Sequence, residues 1–265
     1  MEKKMNVSNI RKIGQELFEA ADTKKIIPPF FMQYPDTDLK QAYQIQKVVV
    51  EHYLNHGFHI SGKKMGYTDP EMQKKMKLDQ PSYGFLFAEK RLTSGSKVAF
   101  EQFLQPGIEA EILFEVKDDM KGKTFTEEEI TDCIASIRPA LEVVDRRQVL
   151  AGRSQMDSIA DNGSFGAYVV GDNRVTEISK EALEKITVEA YRNHTKVAAG
   201  TGRNVMYNPL NSLIWAVNAL SMTDDYFRKG EALMSGSLIP LQKVEKGDTY
   251  TADFGWLGSA SITFS

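Results

Sequence analysis

The sequence predicts an α+β protein, a mixed β-sheet sandwich or roll behind a small N-terminal helical lobe. Three observations lead there. Apolar residues recur at helical spacing from Ser8 to Tyr53, short alternating runs follow from about Gly95, and two segments with helix-start chemistry interrupt those runs. Sheet with inserted helices is the α+β pattern, not a doubly wound nucleotide-binding one. The expected division is residues 1–80 as the helical lobe and 81–265 as the β-rich domain.

Each element has a local reason. Ser8 is the expected N-cap of a first helix with Ile10, Ile13, Leu17 and Ala20 on one stripe. A Pro- and aromatic-rich connection spans 24–35. A second helix opens at Asp38, aligns Leu39, Ala42, Ile45, Val49 and Tyr53, and ends near Gly57. Gly62 and Gly66 read as turns, and the junction falls between Asp79 and Gly95. Strands are expected at 97–100, 108–116, 139–144, 165–170, 187–192, 249–254 and 259–264. Thr126-Glu127-Glu128-Glu129 opens a helix expected to continue through Ile130, Cys133, Ile134 and Ile137. Asn208-Pro209 opens another, burying Leu213, Ala216, Val217 and Leu220.

The chain has 265 residues, 42% hydrophobic and 26% charged, enough for a substantial core. A net charge of −3 without a basic run argues against nucleic acid or a membrane surface as partner. The single Cys133 forms no internal disulfide, no signal-peptide core stands at the N-terminus, and no window reaches transmembrane length. The expected location is the cytoplasm.

Candidate chemistry centres on Gln105 to Val116. With a period of two, Ile108, Ala110, Ile112, Phe114 and Val116 share one face, leaving Glu109, Glu111, Leu113 and Glu115 on the other. Glu109 and Glu111, roughly 7 Å apart at about 3.3 Å rise per residue, can lean onto one ion or form an ordinary solvated face. Glu142 sits in the apolar run 139–144, where a carboxylate must pair or ligate. Arg146 and Arg147 offer the pairing alternative. With no histidine or cysteine partner evident, three carboxylates suit Mg²⁺ or Mn²⁺ better than zinc.

Other features read blandly. His52 and His56 mark a helix end, His194 a hairpin turn, and Cys133 a core thiol. Met72, Met76 and Leu78 read as packing, and Gly200-Thr-Gly202 lacks the third glycine of a dinucleotide loop.

The ordered blocks carry a resemblance. Gln105-Pro-Gly-Ile-Glu-Ala-Glu-Ile, Arg138-Pro-Ala-Leu-Glu-Val-Val-Asp-Arg-Arg and Ala160-Asp-Asn-Gly-Ser-Phe-Gly resemble signature blocks of the 2-keto-4-pentenoate hydratases. Lys64-Met-Gly-Tyr-Thr, Leu78-Asp-Gln-Pro-Ser-Tyr-Gly-Phe-Leu-Phe, Ser235-Gly-Ser-Leu-Ile-Pro, Lys246-Gly-Asp and Leu257-Gly-Ser-Ala-Ser extend the similarity over nearly the whole chain. That family includes the 4-oxalocrotonate decarboxylases and shares the fumarylacetoacetate hydrolase fold.

The resemblance implies that Glu109, Glu111 and Glu142 hold the metal, that Lys64 and Asp79 are catalytic, and that Ser164 contacts substrate. It implies a homo-oligomer acting on a small 2-oxo or 2-hydroxy dienoate in meta-cleavage-type aromatic catabolism. The implied activity is hydration of a 2-hydroxy-2,4-dienoate to a 4-hydroxy-2-oxo acid. The alternatives are decarboxylation of a 2-oxo-3-enedioate and a non-catalytic, metal-stabilised assembly or binding subunit. Departures lie around the expected substrate tail: Arg146 in place of a serine, Gly163 and Phe165 beside Ser164, and Arg203, Met206 and Tyr207 in the 200–209 loop.

Overall fold

A computed structural model describes residues 4–265. Helices α1 (Val7–Thr23) and α2 (Leu39–Asn55) pack side by side in the same direction, Gly14 meeting Val48 and Phe18 meeting His52, with Ile10, Ile13 and Leu17 of one in a buried cluster with Ile45 and Val49 of the other. Asn6, not Ser8, caps α1, its side chain accepting from the Asn9 N–H. Asp38 and Gln41 close a reciprocal capping box on α2, a device that contributes about 1 kcal/mol. Gly14 lets the pair approach, since a Cβ there would lie 2.6 Å from Val48.

Thirteen strands follow: β1 Ile60–Gly66, β2 Ser82–Phe87, β3 Arg91–Thr93, β4 Ser96–Val98, β5 Pro106–Val116, β6 Ile134–Asp145 and β7 Phe165–Val170, then β8 Thr187–Arg192, β9 Thr195–Thr201, β10 Ala232–Met234, β11 Gln242–Lys243, β12 Thr249–Asp253 and β13 Ser259–Phe264. One mixed sheet runs β2-β1-β10-β5-β6-β7-β3, with β11 also on β5; the other runs β4-β13-β12-β8-β9. Between them lies the core. Ile108, Ala110, Ile112, Phe114 and Val116 of β5 belong to the same buried cluster as Val188, Ala252, Ile262 and Phe264. Helix α7 (Pro209–Leu220), capped by Asn208, adds Leu213, Ala216, Val217 and Leu220 to that cluster. No helix among the described residues is long and apolar enough to cross a membrane.

The structure corrects several local readings. Residues 60–66 are a strand of the large sheet, not a pair of turns: a Cβ on Gly62 would fall 2.0 Å from the Ala232 carbonyl, so this glycine permits close strand approach. The helix opened by Thr126 has its capping box but spans only Glu127–Asp132 (α4). Ile134 and Ile137 belong to β6, where they pair with Val116 and Phe114. Helices α3 (Pro70–Met76), α5 (Gln155–Ala160) and α6 (Lys180–Lys185) are too short to show periodicity. Cys133 is half-buried beyond α4 and packs against the main core, while Asn193 and His194 make the left-handed turn between β8 and β9.

Candidate active site

Two adjacent strands bring the carboxylates together. Glu109 of β5 lies directly opposite Glu142 of β6, and Glu111 follows on the same face of β5. One oxygen from each of the three lies within 4.8 Å of the others. The face is covered, not solvated: Glu111 and Glu142 are fully buried.

Few donors meet these oxygens. Glu111 Oε2 accepts the Gly236 N–H at 2.8 Å, but Glu111 Oε1 and both Glu142 oxygens have no hydrogen-bond partner. Burial, then the Glu142 charge, pushes Glu109 up to about 7 and Glu111 well above the usual carboxylate range. An unpartnered buried polar atom costs about 1–3 kcal/mol, so the cluster is stabilised by whatever supplies positive charge. All-oxygen donors with orphaned lone pairs fit a hard divalent cation.

Among the described residues, the cation buried against the cluster is Lys64. Its Nζ lies 2.8 Å from Glu142 Oε1, an ion pair by distance though not aligned as a hydrogen bond, and donates to the Gly163 carbonyl at 3.2 Å. Burial alone would depress this ammonium, but Glu142, Glu109 and Glu111 together hold it above the ordinary lysine range. Strand alternation separates Lys64 from its neighbour. Lys63 turns away to Glu231 Oε2 at 2.6 Å and to the Tyr226 carbonyl.

The Gly163 carbonyl is aimed by an unusual turn. Asn162, Gly163 and Ser164 all have left-handed backbones, with φ of 50°, 63° and 59°. Asn162 holds the turn by exchanging two hydrogen bonds with the Phe85 backbone, at 2.7 and 2.9 Å. Ser164 Oγ is buried, donating to Asp161 Oδ2 at 3.1 Å and accepting from Arg153 Nη2 at 2.5 Å. Asp161 is also fixed by Arg147, Nε to Oδ1 at 2.6 Å. Asp79 is exposed between α3 and β2, with no hydrogen bond or ion pair among the described residues. The structure thus gathers the three glutamates and Lys64, joins the 162–164 turn to them through the Gly163 carbonyl, and gives Asp79 no hydrogen bond to this group among the described residues.

Two positioning residues escaped the sequence reading, Asn162 and Gly236. Both lie inside blocks that drew notice, but nothing in composition distinguishes a backbone donor or a side chain that clamps a strand. Gly236 has φ of 92°, and a Cβ there would sit 2.1 Å from Thr68 Oγ1. Gly236→Ala is therefore expected to cost about 1–3 kcal/mol of stability and roughly tenfold in divalent-cation affinity. Thermal melts and magnesium titration check this; an unchanged affinity would mean that its N–H does not orient Glu111.

A cleft of about 910 Å³ between α3 and α7, lined by Gln73, Lys74, Tyr207 and Trp215 among others, has no acidic side chain.

Known proteins share this architecture. The family model described as Fumarylacetoacetate (FAA) hydrolase C-terminal matches residues 49–265. The TodF product hydratase of Pseudomonas putida is 31% identical over 258 residues, covering 97% of this chain and 95% of its own. A 2-keto-4-pentenoate hydratase of Paraburkholderia xenovorans is 30% identical, with 95% and 93% covered. The structure of a 4-oxalocrotonate decarboxylase from Pseudomonas putida, complexed with magnesium and adipate, superposes with a TM-score of 0.92 at 24% identity, covering 99% and 100% of the two chains.

Proposed function

The chain belongs to the fumarylacetoacetate hydrolase C-terminal family, and from that premise we propose a divalent-metal-dependent hydratase that converts a 2-hydroxy-2,4-dienoate to a 4-hydroxy-2-oxo acid. One observation carries the reading: three converging carboxylates with orphaned buried oxygens, faced by a buried lysine. Full-length relatives named as hydratases support it. We place the enzyme in the cytoplasm, as a homo-oligomer serving meta-cleavage-type aromatic catabolism.

Glu109, Glu111 and Glu142 would hold Mg²⁺ or Mn²⁺, whose Lewis acidity draws electrons from a bound 2-oxo acid. Lys64 Nζ holds a proton beside the carboxylates. It is the proposed donor to the far diene carbon as the 2-hydroxyl loses its own proton, which yields the 2-oxo-3-enoate. Water then adds across that double bond, hydroxyl to C4 and proton to C3. Asp79 is proposed to orient this water or act as acid or base, and the 162–164 turn, with Ser164, to border the substrate. Gly163 suits its place because a Cβ would press within 3.0 Å of Lys64 Nζ.

Loss of ultraviolet dienoate absorbance tests the reading. It is expected with magnesium or manganese, to cease with chelator, and to give 4-hydroxy-2-oxo acid as product. Chelator-resistant turnover, or inertness towards both monoacid and diacid dienoates, rejects it. Decarboxylation of a 2-oxo-3-enedioate uses the same donor set, and trapped CO₂ would identify it instead.

A further inference from the structure

β2 ends the large sheet and, among the described residues, pairs only with β1, so its outer edge needs partners that no strand supplies. Side chains supply them. Tyr43 Oη accepts the Tyr83 N–H at 3.2 Å, Gln46 Nε2 donates to the Tyr83 carbonyl at 2.9 Å, and Asn162 exchanges its two bonds with Phe85. The residue between them, Gly84, lies directly opposite Lys64 in the β1–β2 register. The strand beside the lysine is clamped on either side of the point where the two meet.

Gln46 does more than close an edge. It is 1% exposed on the buried face of α2, beside Ala42, Ile45, Val49 and Val50, where an amide is costly unless bonded. The same Nε2 also donates to the Ile159 carbonyl at 2.9 Å, near the end of α5. Just beyond, the chain makes the 162–164 turn and offers the Gly163 carbonyl to Lys64 Nζ. Left-handed backbone at Asn162 and Ser164 costs about 1–3 kcal/mol each and persists only where the surroundings enforce it. Gln46 and Asn162 cross-link β2 to the 159–164 segment at two places, with Gly84 between them. A Cβ on Gly84 would lie 2.9 Å from the Asn162 carbonyl. The strand that pairs alongside Lys64 and the segment that accepts from its ammonium are therefore joined through one amide of α2.

We propose that Gln46 is a positioning residue for Lys64: through its two carbonyl bonds it sets the Gly163 carbonyl against the Lys64 ammonium, and so the geometry of proton donation. The inference rests on the reading of Lys64 as proton donor. A divalent cation in the triad would share the Glu142 charge and repel the ammonium, which leaves the Gly163 carbonyl to hold Nζ in line. A displacement of about 1 Å, caused far from the chemistry, can cost about a hundredfold in rate. The triad itself is built by β5, β6 and the Gly236 N–H, so its metal affinity does not depend on Gln46.

Gln46→Leu is expected to lower kcat about tenfold or more, with KM and magnesium affinity within about twofold of wild type. Tyr43→Phe, which frees the same strand edge but leaves the link to Ile159, should keep kcat within about twofold. Melting curves establish that each variant is folded at the assay temperature. If Gln46→Leu is not, Gln46→Asn, too short to span both carbonyls, carries the same expectation. In magnesium-loaded protein with isotope-labelled lysine, the Lys64 Nζ resonance, assigned by its loss in Lys64→Met, should shift in the Gln46 variant and exchange its protons faster. A folded Gln46 variant with wild-type kcat or an unmoved Lys64 resonance, or an equal fall in Tyr43→Phe, overturns the inference while leaving the proposed function standing. If wild type turns over no dienoate, the proposed function falls, and the resonance alone decides: a shift keeps Gln46 as the residue that positions Lys64, and no shift overturns that as well.

Discussion

Glu142→Gln is expected to reduce metal-dependent turnover by about a thousandfold or more and to weaken divalent-cation binding at least about a hundredfold. Glu142 lies opposite Glu109 in the strand register, and both its oxygens lack hydrogen-bond partners. An amide in its place removes the charge, keeps one acceptor, and turns an N–H₂ towards the other carboxylates. Stability should move the opposite way. Glu109, raised to about 7 by burial and the Glu142 charge, favours its protonated form in the fold. Stability from that preference is full below the unfolded carboxylate value, near 4.5, and is lost as pH rises through about 7. Metal-free wild type should therefore melt lower at pH 8 than at pH 5, and added magnesium should raise the melt more at pH 8. In Glu142→Gln the pH penalty shrinks, because one source of the repulsion has gone, and the magnesium response disappears. Melts with chelator and with magnesium, alongside dienoate turnover, check both halves. Wild-type magnesium affinity in the variant would remove Glu142 from the metal site.

What was readable in advance follows from how locally each feature is encoded. The β5 alternation and the 187–192 and 259–264 strands were visible because period-two patterning needs only neighbouring residues. The Asn208-Pro209 and Asp38 helix starts were equally local. β1 was not visible: it is buried against strands from distant parts of the chain, and its glycines read as turns. Ile134 and Ile137 fit a helical stripe as well as a strand, and only pairing with Val116 and Phe114 decides between them. At the site, Glu109 and Glu111 formed a legible pair with two readings. Their convergence with Glu142 depends on β5–β6 register, which one sequence does not state. Nothing in the local spacing singles out Lys64, which stands 2.8 Å from Glu142 only because β1 carries it there. Asp79 stands on an exposed segment with nothing in the fold tying it to the glutamates, so its role rests on resemblance.

Lys64→Met is expected to separate cation binding from turnover. The side chain is 5% exposed and its ammonium pairs with Glu142, so methionine fills the space while deleting the charge. Without metal, Glu142 then lacks its counter-ion, and removing one partner of a buried pair typically costs about 3–5 kcal/mol. Magnesium should recover much of that loss, because the ion replaces the missing positive charge and binds only the folded state. Its affinity should be undiminished or higher, since a like charge has left its neighbourhood. Turnover should nevertheless fall about 10²- to 10⁴-fold, because among the described residues no other buried ammonium pairs with these carboxylates. The measurements are magnesium titration, melts with and without chelator, and single-turnover dienoate loss at saturating magnesium. If affinity and turnover fell together, Lys64 would serve only to hold the glutamates in place. If turnover survived, the proton would have to come from elsewhere, with Asp79 the first group to replace next.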